Sequence, residues 1–257
     1  MPLTRSRTQR ALQRVAVGAL SALLAAVVAG CAANGAGPQP SPIPAGTTAA
    51  TTATSMTVTT PAPTQPATGA LAALAALPVK GRAPMTGYER DRFGPAWSDV
   101  DRNGCDTRND VLRRDLTGTT LDPRTHGCVV LTGTLHDPYS GRVIAFVRGQ
   151  TTSAEVQIDH VVALGDAWQT GAQQLTDLER LALANDPLEL LAVNGPTNLS
   201  KGDGDAATWL PPVTAYRCAY AARQVAVKAR YHLWVTPAEH DALARVLDTC
   251  PGRPLPT

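Results

Sequence analysis

Val156-Gln157-Ile158-Asp159-His160-Val161-Val162, followed 37 positions beyond His160 by Thr197-Asn198-Leu199-Ser200-Lys201-Gly202-Asp203, decides how this chain is read. Val156 to Ile158 has the β-branched character of a short strand that delivers Asp159 and His160 at its end. Asn194-Gly195-Pro196 then turns the chain and places Asn198 near the start of a helix. Asp and Asn side chains offer hard oxygen ligands to a small divalent cation. An imidazole with an ordinary pKa near 6.5 is substantially neutral at pH 7, and so free to take a proton from water. A lone His after a strand is more often structural than catalytic. The second half of the motif, in the right order and at the right spacing, favours the functional reading.

Working outward, Val111 to Leu116 reads as the end of a helix. Cys128 to Thr134 and Val143 to Val147 read as a hairpin around the turn-forming Asp137-Pro138-Tyr139-Ser140-Gly141. Helical spacing recurs over Val161 to Gly171 and over Thr176 to Ala184, which Asn185-Asp186-Pro187 interrupts before a short apolar strand, Leu188 to Val193. Longer helices follow near 213–231 and 237–248, the latter opening on a capping box, Thr236-Pro237-Ala238-Glu239. Strands and helices in this order predict a single α+β domain.

The N-terminus has the form of an export signal. Arg5, Arg7, Arg10 and Arg14 precede an apolar run over 15–30 that is shorter than a membrane-spanning helix requires. Val28-Ala29-Gly30-Cys31 resembles a lipobox, which predicts a signal peptide over 1–30 and a lipid anchor on Cys31, an ordinary secretory signal being the alternative. Residues 32–79 carry no charge and are dominated by Ala, Thr, Pro and Gly, so 31–79 is predicted to be a disordered tether, with the domain over 80–257. Leu71 to Leu77 has helical spacing but is too short to be stable alone. Of the 23 Lys and Arg residues four precede Cys31, which leaves 19 against 21 acidic residues. A global basic footprint for nucleic acid is therefore absent, and phosphate binding must be local.

Cys105, Cys128, Cys218 and Cys250 form an even set in an exported chain, and proximity suggests the pairs Cys105–Cys128 and Cys218–Cys250. A zinc site on Cys105, His126 and Cys128 is the competing idea, weakened by the absence of a Cys-x-x-Cys pair. Asp99, Asp101, Asn103, Gly104 and Asp110 follow the early pattern of a calcium loop, but Asp110 stands where a longer Glu is usual, so a polar-capped turn is the plainer reading. Arg217, Arg223, Lys228 and Arg230 lie among Tyr216, Tyr220 and Tyr231 on one helix, which either lines a nucleic-acid groove or buries its aromatic stripe. His126, His136, His232 and His240 have no motif partner and are read as surface or packing residues.

The stretches Glu155 to Leu164, Ala184-Asn185-Asp186-Pro187-Leu188 and Thr197 to Asp203 closely resemble exported actinobacterial HNH-family endonucleases, whose domain is related to the C-terminal part of the GmrSD restriction enzymes. Asn103 to Asp110 and Trp209-Leu210-Pro211-Pro212 extend the resemblance over roughly residues 88–250. It implies a ββα-metal core with a small hairpin and C-terminal helices, and metal-dependent hydrolysis of nucleic acid, DNA first. His160 is then the general base, Asp159 and Asn198 the metal ligands, and Lys201 a phosphate contact. The cation implied is Mg²⁺, with Mn²⁺ or Zn²⁺ as alternatives. The protein is expected at the outer face of the cell membrane through its anchor, or secreted. One position departs from the pattern: Glu189 stands nine residues before Asn198, where an Asn usually supports the loop carrying the His. Two other readings compete, a non-catalytic envelope binding module on the same fold and a calcium-stabilised structural protein.

Overall fold

The computed structural model describes residues 69–150 and 152–257, so the signal, Cys31 and most of the tether lie outside the described residues. α1 (Ala70–Ala76) corrects the tether boundary: Ala70 and Leu74 are buried, and the helix packs against the two C-terminal helices. A seven-residue helix of Ala and Leu is too short to hold alone, and burial of its apolar stripe supplies what its length cannot. Pro78 and Lys80 then bond to Val235 through their backbones, so the folded unit begins well before residue 80.

α2 (Thr107–Asp115) starts at Asp106, whose carboxylate accepts from the Asn109 amide. It leads into a three-stranded antiparallel sheet of β1 (Leu116–Leu121), β2 (Val130–His136) and β3 (Val143–Val147), in that spatial order. The hairpin β2–β3 is the one expected. β1 was not, because Leu116-Thr117-Gly118-Thr119-Thr120-Leu121 carries only two large apolar residues.

The second sheet positions the site. β4 (Val156–His160) pairs antiparallel with β5 (Leu190–Asn194), Asp159 opposite Leu191 and His160 opposite Leu190. Between them run α3 (Leu164–Gln169) and α4 (Asp177–Asn185), the latter opened by a Thr176–Glu179 capping box. Asn194 caps α5 (Gly195–Lys201), which packs on both β4 and β5. α6 (Arg217–Arg230) and α7 (Pro237–Leu247) complete the fold, α7 with the expected capping box.

Both strands of this sheet are covered on both faces. Ile158, Leu190 and Ala192 join the core under the three-stranded sheet, and Leu191 and Val193 pack with Tyr139 and Tyr220. That explains why Leu190 to Val193 reads as a continuous apolar run rather than an alternating one. Cys105–Cys128 and Cys218–Cys250 are disulfide-bonded, with Cα atoms 5.1 and 6.4 Å apart, which replaces the zinc alternative.

Candidate active site

Asp159 is buried where β4 ends, and both its oxygens are held: Lys201 donates to Oδ1 at 2.8 Å and the Tyr139 hydroxyl to Oδ2 at 2.6 Å. Lys201 also donates to the backbone oxygen of His160 at 2.6 Å, and its side chain is fully buried. The structure thus places Lys201 under the site and not on its surface. It fixes the Asp159 carboxylate and the end of β4, which displaces the expected phosphate contact. Burial and the neighbouring Asp159 carboxylate hold the Tyr139 hydroxyl well above its ordinary pKa, so it stays a proton donor to Asp159.

His160 is buried, with Nε2 3.0 Å from the backbone oxygen of Ala184. A carbonyl oxygen only accepts, so Nε2 carries the proton and Nδ1 keeps the lone pair. Burial first, and the Arg90 guanidinium second, push the His160 pKa down to about 3. The imidazole is neutral at every physiological pH.

Glu189 is fully buried beneath the loop that follows His160, and its Oε2 accepts from the Val162 amide at 3.1 Å. The sequence departure therefore retains a loop brace. Burial raises its pKa well above the ordinary carboxylate value, and Oε1 has no hydrogen-bond partner.

Asn198 sits in mid-α5, and its Nδ2 donates to the Gln157 side chain at 2.9 Å, which leaves Oδ1 as its available acceptor. A cavity of about 220 Å³ gathers Asp159, His160 and Asn198 with Arg90 and Asp203. Arg90 lies outside both motif halves, and Asp203, which closes the second, reads in the sequence only as part of its Lys-Gly-Asp turn. Asp203 reaches the site over Gly165, where any Cβ would lie 2.6 to 2.8 Å from its carboxylate. The three residues expected to act together therefore line one cavity.

The other expected constellations resolve differently. The Asp99 and Asp101 carboxylates are bonded to Asn103 and Gly104 within their own loop, the pattern of a polar-capped turn. Among the described residues the acidic groups that converge within reach of one cation are Asp166, Asp205 and Glu239. Lys228 pairs with Asp166 and Glu239, and Arg82 with Asp166 and Asp205, so protein cations already fill that cluster. The cationic face proposed for α6 is also spent internally. Tyr220 and Lys228 are fully buried, Arg223 donates to the backbone oxygens of Leu188 and Pro187, and Arg230 pairs with Asp186.

The site is thus a strand pair backed by a helix, with a carboxylate, a neutral imidazole and an amide oxygen around one cavity. Residues 106–246 match the family described as GmrSD restriction endonucleases, C-terminal domain, and the chain belongs to that family, one of HNH-type nucleases. A protein of Arthroderma benhamiae described as an uncharacterized secreted protein is 38% identical over 196 residues, spanning 74% of this chain and 91% of that protein. That relative is fungal, so the likeness is not confined to the actinobacterial proteins expected. No solved structure matches.

Proposed function

We propose that the protein is a metal-dependent endonuclease built on a ββα-metal core, β4, β5 and α5, with DNA as its first substrate class. The observation that carries this reading is the shared cavity of Asp159, His160 and Asn198, with the Ala184 oxygen fixing the His160 tautomer.

The residues fit a hard divalent cation, Mg²⁺ before Mn²⁺ or Zn²⁺. Asp159 and Asn198 are oxygen donors, and a carboxylate has about four lone-pair sites, of which Lys201 and Tyr139 use two. When bound, the cation would supply charge neutralisation at the phosphate and the leaving oxygen. The chain's own residues do the rest. His160 Nδ1 accepts the proton of the attacking water, and the Nε2–Ala184 bond keeps the ring oriented as its charge develops. Arg90 stands at the cavity where a phosphate would sit.

Export is part of the proposal: the basic and apolar N-terminus and two disulfides agree with the name of the secreted relative. Lipid attachment at Cys31 is tested by Cys31→Ser, which should move the protein out of the membrane fraction. No helix of the described residues is long and apolar enough to cross a membrane. The nuclease reading is tested by plasmid nicking with Mg²⁺, Mn²⁺ or EDTA. Cleavage with a divalent cation that EDTA abolishes and Asn198→Ala weakens supports it. No cleavage with any of these cations leaves the binding-module reading in its place.

A further inference from the structure

A second cavity, about 330 Å³, adjoins the first: Arg90, His160 and Leu164 line both. Its character is different. Its wall is mainly apolar and includes Phe93, Trp97, Leu164 and Ala184. It is formed by the segment from Arg90 to Trp97, which begins as a 3₁₀ turn and bends at Gly94, where φ is 79° and a Cβ would strike Leu181. Trp97 itself has a φ of 59°, a conformation a bulky side chain rarely adopts, and its indole lies within 17° of parallel to the His160 ring at a centroid distance of 6.3 Å.

One polar group in this wall is unexplained. The Asn185 side chain is 1% exposed, and its Nδ2 donates to the Leu181 oxygen, which fixes the amide orientation. Its Oδ1 is buried without a partner. An apolar slot floored by aromatic rings, with a buried acceptor in its wall and a guanidinium at the junction with the polar cavity, matches a planar ring with polar edges attached to a phosphate.

We infer that this cavity is a nucleobase subsite. It receives the unstacked base next to the scissile phosphate, against Trp97, with Arg90 on the phosphate between the two cavities. The inference rests on the nuclease reading for its substrate class. A base paired in a duplex cannot enter, so the subsite selects single strands or a nucleotide flipped out of the helix. Apolar walls exclude the sugar-phosphate backbone itself, because burying a charge there is costly.

The test uses the full-length protein in EDTA and a single-stranded oligonucleotide carrying one 2-aminopurine, scanned through each position. Fluorescence should be quenched in a position-dependent way, and Trp97→Ala should weaken that binding by about 5- to 150-fold, the range of one base–aromatic stack. Trp97→Phe should restore most of it. With unaltered protein, making the quenched position abasic should cost a similar factor, which keeps the test valid if Trp97→Ala folds poorly. Position-independent fluorescence, or equal affinity for the abasic strand, overturns the subsite. Cleavage in Mg²⁺ without position-dependent quenching leaves the nuclease reading standing and removes the subsite. Quenching without cleavage in any cation does the reverse.

Discussion

The His160 ring and the Ala184 backbone oxygen, 3.0 Å apart, join the end of β4 to the last turn of α4 across 24 residues of sequence. This one bond decides which nitrogen holds the lone pair, and it orients the ring without any charged partner.

Removal of the imidazole separates catalysis from folding. His160→Ala should lower cleavage by about 10²–10⁴-fold, the usual contribution of a general base. Metal affinity should stay nearly unchanged, since His160 is not a proposed ligand. Single-turnover rates with a labelled duplex, beside a metal titration, check both; unaltered turnover removes His160 from the mechanism.

The same residue predicts an acid sensitivity. Its folded pKa of about 3 lies below the ordinary 6.5, so between those values the unfolded chain binds a proton that the folded one refuses. The stability tied to neutral His160 is complete above pH 6.5 and is lost as pH falls toward 3. His160→Asn should shift the acid-unfolding midpoint downward by about one pH unit. Circular dichroism against pH reads the shift, and coincident curves would show that the ring is not buried as described.

Lys201 is the buried partner of Asp159, and truncating it leaves an uncompensated carboxylate. Lys201→Met should destabilise by about 3–5 kcal/mol in denaturant unfolding. A surface lysine that met phosphate would cost little stability and would alter the salt dependence of binding instead. Near-native stability in the variant would therefore reinstate the phosphate role.

Glu189 requires a different expectation from the one its carboxylate suggests. Burial raises its pKa and so favours the protonated form, which Gln resembles, so Glu189→Gln should cost much less than Glu189→Ala in both stability and kcat. Glu189→Ala removes the acceptor of the Val162 amide and should cost about 1–3 kcal/mol, with a loss in kcat larger than the change in KM. If Glu189→Gln is as damaging as Asn198→Ala, the carboxylate has a direct role at the metal.

Glu239 offers a stability test away from the site. Burial raises it to about 7 despite the opposing Lys228, in a cluster of three acids, Asp166, Asp205 and Glu239, against Lys228 and Arg82. Its contribution is present below pH 4.5 and is lost as pH rises through about 7. Glu239→Gln should flatten the decline in thermal midpoint over that window. An unchanged slope would mean that the cluster does not hold the extra proton.

Most elements were legible because their signals are local. The capping box at Thr236 and the hairpin around Asp137 to Gly141 needed no tertiary information. The motif halves were legible because their order and spacing match the β4–β5 pairing and the α5 packing that bring Asp159, His160 and Asn198 to one cavity. What stayed hidden depends on burial. α1 holds by packing against α6 and α7, and β1 by pairing along β2. A lysine in a Lys-Gly-Asp turn gives no sign that its ammonium turns inward to Asp159. Trp97 and Arg90 lie some sixty to seventy residues before His160, in a segment with no motif of its own, and only the folded chain shows them walling the site.

The central claim is that Asp159, His160 and Asn198 form one phosphodiester-cleaving site. Its most direct measurement is the cleavage rate of a labelled DNA duplex as a function of Mg²⁺, compared across the unaltered protein, His160→Ala and Asn198→Ala. One shared site gives saturable Mg²⁺ activation in the unaltered protein, a collapse of the maximal rate in His160→Ala at unchanged half-saturating Mg²⁺, and a higher half-saturating Mg²⁺ in Asn198→Ala. Cleavage that ignores Mg²⁺ and survives both substitutions would contradict it.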